Sequence, residues 1–235
     1  MVSENVRIDL DDHVHVSAVL AGPDHPSQTN GAGLIFAHGA GNDMNNPLIV
    51  ALAEGLAIAG CVTLRFNFPY KEKGKKSPDS QQKLIHTWQC AYAYMQHKQK
   101  FPVKRIIAVG KSMGGRVASQ MVADSQMDVA ALIFLGYPLH APGKKDQLRD
   151  AHLYRIRVPM LFFAGTKDPL CDMDKLNTVL DNMPSHRDLE VIDGGNHSFN
   201  LPKSFSLSEA DVHRQILEKC VGWVKQVSRA EIEDG

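Results

Sequence analysis

Ile106-Ile107-Ala108-Val109-Gly110-Lys111-Ser112-Met113-Gly114-Gly115 is an apolar run that breaks into a Gly-x-Ser-x-Gly turn. The continuous run predicts a strand covered on both faces, as in a parallel sheet. A helix is expected to begin at Ser112 or just after it. A strand, turn and helix in this order force the serine into a strained backbone conformation and lift its hydroxyl above the sheet. Glycine at 110 and 114 fits that geometry, because side chains there would strike the neighbouring strand and helix. The helix start aims backbone N–H groups and the positive end of its dipole at the site. Such donors suit the oxyanion that forms when a hydroxyl attacks a carbonyl. Gly110-Lys111-Ser112 also ends like a phosphate-binding Gly-x-x-x-x-Gly-Lys-Ser loop. Position 105 is Arg where that loop needs glycine, and a strand fills the interval, so nucleotide binding is set aside.

Outward from this turn, short apolar runs recur at 34–37, 62–66, 131–135, 160–164 and 189–192. Helical patterns lie between them. Asn46 and Pro47 form an N-cap and first-turn pair, with Leu48, Leu52 and Leu56 following at helical spacing until Gly60. Leu84, Trp88, Ala91 or Tyr92, and Met95 make a second stripe; Leu176, Val179, Leu180 and Met183 make another, ended by Pro184. Ser208 can cap a last helix striped by Val212, Ile216, Cys220 and Val224. Segments 6–10 and 14–20 alternate like two antiparallel strands. The alternation predicts an α/β fold with a mostly parallel, doubly wound sheet of about seven or eight strands flanked by helices. One domain over 1–235 accounts for it, with about the last eight residues frayed.

Ligands bind such sheets at the carboxyl ends of strands, and two more loops there carry reactive residues. A serine hydroxyl needs a base, and histidine titrates in the right range. Of eleven histidines, His197 stands out, because Gly194-Gly195-Asn196-His197 directly follows the strand at 189–192. His86, His97, His152 and His213 fall in helical or surface stretches and read as solvated. The base needs an acid on its other nitrogen. Asp168 follows the strand at 160–164, whereas Asp172 and Asp174 are placed to cap the next helix. A second oxyanion donor is expected in His38-Gly39-Ala40-Gly41-Asn42, whose small residues allow close backbone approach. The N–H groups of Ala40 and Met113 form the expected pair.

Composition bounds the partners. The 235 residues are 43% apolar, enough for a sizeable core, and 26 basic residues balance 26 acidic ones. A broadly basic nucleic-acid binder is therefore excluded. The longest apolar run, 129–135, is far short of the roughly 18 residues a membrane-spanning helix needs. Glu4, Arg7 and Asp9 interrupt the start where an export signal would be apolar, so a cytoplasmic protein is expected. The four scattered cysteines predict reduced, mostly buried thiols and no zinc site. The lysine-rich run at 71–76 reads as a solvated loop.

These segments, with Arg65-Phe66-Asn67-Phe68-Pro69-Tyr70 and Gly136-Tyr137-Pro138-Leu139-His140, resemble small α/β-hydrolase-fold proteins related to the dienelactone hydrolases. Within that group the sequence is most similar to the hydrolase-like domain family shared by small bacterial hydrolases, a testis-expressed protein and a subunit of a histone-acetyltransferase complex. The resemblance spans about residues 34–200. It implies the α/β-hydrolase fold and serine-hydrolase chemistry through Ser112, Asp168 and His197, in that chain order. Dienelactone hydrolases proper carry cysteine at the nucleophile position, where this chain has serine. His38, Gly41, Asn67, Tyr70, Tyr137 and His140 are candidates to line the substrate pocket. Only about 22 residues separate Leu135 from Val158, too few for a large cap domain, so an open site for short or exposed acyl groups is expected. The reading is hydrolysis of a small-molecule carboxylic ester or thioester through an acyl-enzyme, with neither metal nor cofactor. A non-catalytic scaffold that keeps the fold is the alternative. Oligomeric state is not read from these residues.

Overall fold

The computed structural model describes residues 1–97 and 99–227, with the backbone of the last helix continuing to Glu233. The fraying expected of the last eight or so residues falls outside those described. Eight strands form one sheet: β1 (Val2–Asp9), β2 (His15–Gly22), β3 (Ala32–Ala37), β4 (Val62–Phe66), β5 (Arg105–Lys111), β6 (Ala131–Leu135), β7 (Met160–Gly165) and β8 (Arg187–Ile192). Their spatial order is β1-β2-β4-β3-β5-β6-β7-β8. β2 runs antiparallel to β1 and β4, and every pairing from β4 through β8 is parallel.

The buried strands have no polar face because both faces are covered. In β5, Ile106 and Ala108 point into one apolar layer while Ile107 and Val109 point into the other. The first layer is closed by α3 (Gln81–His97), α4 (Met113–Ala123) and α5 (Met173–Asp181), through Leu84, Trp88, Val117, Met121, Leu176 and Val179. The second is closed by α1 (Pro47–Ile58) and α6 (Glu209–Glu233), through Leu52, Leu56, Ile216, Cys220 and Val224. The stripes expected from spacing are the ones that pack. Caps act where the sequence places them. Asn46 Oδ1 accepts from the Ile49 N–H, Asp172 from the Lys175 N–H, and Ser208 Oγ from the Asp211 N–H. A single-turn helix, α2 (Pro69–Glu72), follows β4 and has no periodicity by which to foresee it.

Between β6 and β7 the chain forms a loop with one 3-10 turn, Leu153–Arg155, and no cap domain. The edge strands differ from the centre. β8 is only partly buried, and the N-terminal part of β1 is exposed. Cys61, Cys171 and Cys220 are buried free thiols. Among the described residues no helix is long and apolar enough to cross a membrane.

Candidate active site

Ser112 sits between the last residue of β5 and the first of α4 with φ 50° and ψ −114°. A β-carbon at positive φ meets its own backbone, so this conformation is strained and persists only where packing imposes it. Two glycines impose it. A Cβ on Gly110 would lie 2.1 Å from the Gly115 nitrogen, and one on Gly114 would lie 2.6 Å from the Ala37 carbonyl oxygen of β3. The turn is therefore tighter than any side chain at either position permits.

His197 stands between the serine and a carboxylate. Its Nδ1 is 2.7 Å from Asp168 Oδ2, and its Nε2 is 2.7 Å from Ser112 Oγ. A carboxylate only accepts, so Nδ1 carries the ring proton and donates it to Asp168. Nε2 is left with a lone pair, and the serine hydroxyl donates to it. The Asp168 side chain is fully buried, and its other oxygen accepts from the Leu170 N–H at 2.8 Å. That buried, doubly bonded carboxylate fixes both the orientation and the tautomer of the imidazole.

Each loop bearing one of these groups is tied down by a side chain. His140 donates through Nδ1 to the Ala141 carbonyl (3.0 Å) and accepts at Nε2 from the Asp172 N–H (3.0 Å), joining the loop after β6 to the acid loop. Lys111 is buried beside the serine. Its Nζ donates to the His197 carbonyl at 3.1 Å and lies 5.7 Å from the centre of the Phe199 ring. Burial pulls the Lys111 pKa down to about 8, against the opposing pull of Asp168. Asn196 Oδ1 accepts from the N–H groups of Ser198 and Asn200, closing the loop around the histidine.

The Gly39 carbonyl accepts from His38 Nδ1 (2.9 Å) and the Tyr70 hydroxyl (3.3 Å), while His38 Nε2 accepts from the Phe68 N–H (3.1 Å). A trans peptide points its N–H opposite to its carbonyl. Pinning the Gly39 oxygen inward therefore turns the Ala40 N–H the other way. Among the described residues, neither the Ala40 nor the Met113 N–H meets a protein acceptor, and both residues border a cleft of about 450 Å³ at Ser112. His38 is fully buried, and desolvation lowers its pKa to about 4, which keeps it neutral as both of its hydrogen bonds require.

The cleft is bordered by Ala40, Ser112 and Met113, by Pro78, Leu84 and Leu170, and by Asp79, Arg116 and Arg149. None of the six residues expected to line the pocket is among those bordering it. His38, Tyr70 and His140 are buried with their polar atoms committed to the loop ties above. Tyr137 is buried and donates to the Arg149 carbonyl at 2.7 Å. Asn67 bridges the Met44 N–H and the Glu72 carboxylate, and Gly41 forms the turn after Ala40 with φ 75°. A second correction concerns His152, read as solvated. It is partly buried against Ser119 and Tyr137, and burial, reinforced by the charges of Arg116 and Arg155, lowers its pKa to about 4. Sequence reasoning passed over Lys111, Arg116 and Arg149. The local signal in the sequence is a lysine inside the Gly-x-Ser-x-Gly turn.

A larger recess of about 700 Å³ opens at the opposite end of the sheet, near Lys104, Asp128 and Arg157, where β5 and β7 begin.

A mostly parallel eight-stranded sheet, a strained serine at the turn after β5 and reactive loops after β7 and β8 define the α/β-hydrolase class. The chain belongs to the alpha/beta hydrolase domain family, whose sequence pattern matches residues 30–225. Solved structures share the fold at low identity. A dienelactone hydrolase from Anabaena variabilis is 19% identical, with a TM-score of 0.73 over 95% of this chain and 97% of its own. Est1E from Butyrivibrio proteoclasticus, solved with ferulic acid bound, is 18% identical, with a TM-score of 0.74 over 94% and 99%. A serine hydrolase without a lid from Xanthomonas campestris is 17% identical, with a TM-score of 0.68 over 97% and 94%.

Proposed function

We propose that this protein is a serine hydrolase that cleaves small carboxylic esters or thioesters through an acyl-enzyme. The observation carrying the proposal is the placement of His197 at 2.7 Å from both Ser112 Oγ and Asp168 Oδ2. As the serine oxygen bonds to the substrate carbonyl carbon, its proton passes to His197 Nε2. Asp168 stabilises the imidazolium without itself taking the proton. The carbonyl oxygen gains the negative charge and is received by the N–H groups of Ala40 and Met113, each worth about 3 kcal/mol in the transition state. Collapse of this intermediate breaks the bond to the leaving group, which takes the proton from His197. Water then repeats the sequence on the acyl-enzyme, giving the acid and restoring the serine.

The fold without a cap domain supports short or exposed acyl groups as substrates. The test is labelling with a serine-directed fluorophosphonate, followed by turnover of 4-nitrophenyl esters of increasing chain length. Labelling that Ser112→Ala abolishes supports the reading. Equal labelling of the variant, or a wild type that is neither labelled nor active, overturns it and leaves a fold without turnover.

A further inference from the structure

The charged residues bordering the cleft at Ser112 are two arginines and one aspartate. Arg116, about one helical turn beyond Ser112 on α4, and Arg149, from the loop after β6, both border it. The whole sequence pairs 26 basic with 26 acidic residues, yet among the described residues neither guanidinium forms an ion pair with a carboxylate. The hydrogen bond of the Arg116 guanidinium goes to the neutral amide oxygen of Gln120, at 3.4 Å. Burial lowers the Arg116 pKa against an opposing pull from Tyr137, and the neighbouring charge of Arg149 adds to the lowering. Two carboxylates lie nearby, and each is held by a neutral donor rather than by either guanidinium. Asp79, on the cleft wall, accepts from the Tyr70 N–H at 2.7 Å, and Asp150 accepts from the Tyr154 hydroxyl at 2.8 Å.

Two like charges on one cleft repel each other, and Arg116 is partly desolvated as well, so an anion bound by both relieves the repulsion and the burial cost. A guanidinium offers a planar fork of donors that matches a carboxylate through two parallel hydrogen bonds. We propose that Arg116 and Arg149 select ester or thioester substrates bearing a free carboxylate, which they hold while the scissile carbonyl lies at Ser112. This rests on the serine-hydrolase reading above and narrows its substrate class.

The test compares mono-4-nitrophenyl adipate with 4-nitrophenyl heptanoate, a neutral ester of matching length. The expected kcat/KM favours the adipate half-ester by about tenfold or more, and salt narrows the margin as it screens the pair. Arg149 is exposed, so its replacement tests the charge without disturbing the core. Arg149→Gln is expected to bring the ratio close to one, while Arg149→Lys retains most of it. Equal kcat/KM for the two esters in the wild type, or a preference unchanged in both Arg149→Gln and Arg116→Gln, overturns the inference and leaves the hydrolase reading intact. Calorimetry on Ser112→Ala separates binding from turnover. Tighter binding of the half-ester than of the heptanoate supports the arginine pair even where no turnover is found. Equal or absent binding of the half-ester overturns it, while fluorophosphonate labelling decides the hydrolase reading separately.

Discussion

Two serine–histidine pairs lie about two turns apart along the same helix, and their contrast shows which arrangement of protons and backbone the proposed chemistry needs. Ser112 Oγ is 2.7 Å from His197 Nε2, and Ser119 Oγ is 2.8 Å from His152 Nε2. By distance alone they are equivalent. Their proton arrangements are opposite. Ser119 donates its hydroxyl to the Arg116 carbonyl at 2.9 Å, and Tyr137 donates its own to the Arg149 carbonyl. With both hydroxyl protons committed, His152 Nε2 must carry a proton and donate it, so it cannot accept one from Ser119. At His197 the buried Asp168 accepts a hydrogen bond from Nδ1–H, which leaves the Nε2 lone pair free. The backbone differs as well. Ser112 is strained at the mouth of a cleft, whereas Ser119 is buried within α4.

The sharpest way to break this contrast is to remove each hydroxyl in turn. Ser112→Ala is expected to lower ester hydrolysis by about 10⁴-fold or more and to abolish fluorophosphonate labelling. Ser119→Ala is expected to leave labelling within about twofold of wild type and to cost about 1–3 kcal/mol in urea denaturation, through the partners it leaves unpaired. Labelling that survives the first change and vanishes in the second would reverse the assignment. Next in size, Asp168→Asn removes the acceptor that sets the His197 tautomer and should lower kcat by about 10⁴-fold with little change in KM. Tyr137→Phe, at the corresponding place in the other pair, should change stability by about 1 kcal/mol and kcat hardly at all.

What could be read from the chain was whatever has a local cause. The strand before Ser112 and the glycines around it fix the elbow within ten residues. Asp168 and His197 each follow a strand through a turn whose composition marks it. The pocket residues failed for a different reason. A polar side chain beside a glycine-rich loop reads the same whether it faces a ligand or holds the loop. His38 and His140 are settled by the backbone groups that would otherwise lack partners, Phe68 N–H and Asp172 N–H, and those become visible only when distant loops meet. Arg116 and Arg149 look like ordinary surface charges on a helix and a loop. Lys111 reaches a carbonyl 86 positions away, a contact that no spacing announces.

Lys111 provides a smaller test. Its pKa is about 8 in the folded chain and about 10.5 when solvated, so between those values the unfolded chain binds more protons. Stability relative to Lys111→Met should therefore rise as pH increases from about 8 to 10.5, by at most about 3 kcal/mol. Urea titrations at pH 7.5 and 10 read the difference, and a constant gap between the two proteins would place the ammonium in water. The same substitution frees the His197 carbonyl, and a loss of kcat of about tenfold, with KM little changed, is the expected signature of a loosened base.

The buried histidines should respond in acid with the same sign. His38 is held neutral with a pKa of about 4, against 6.5 for an exposed imidazole. Between those values the unfolded chain takes up a proton that the folded chain refuses, so stability is retained above 6.5 and lost as pH falls toward 4. At pH 5 the loss from His38 alone is about 2 kcal/mol, and His152, being only partly buried, adds less. His38→Gln removes this dependence, because an amide can still accept from the Phe68 N–H and does not titrate. If the pH 7 to pH 5 loss is as large in His38→Gln as in wild type, the imidazole does not hold the Gly39 peptide as a neutral ring. The direction of the Ala40 N–H would then need another cause.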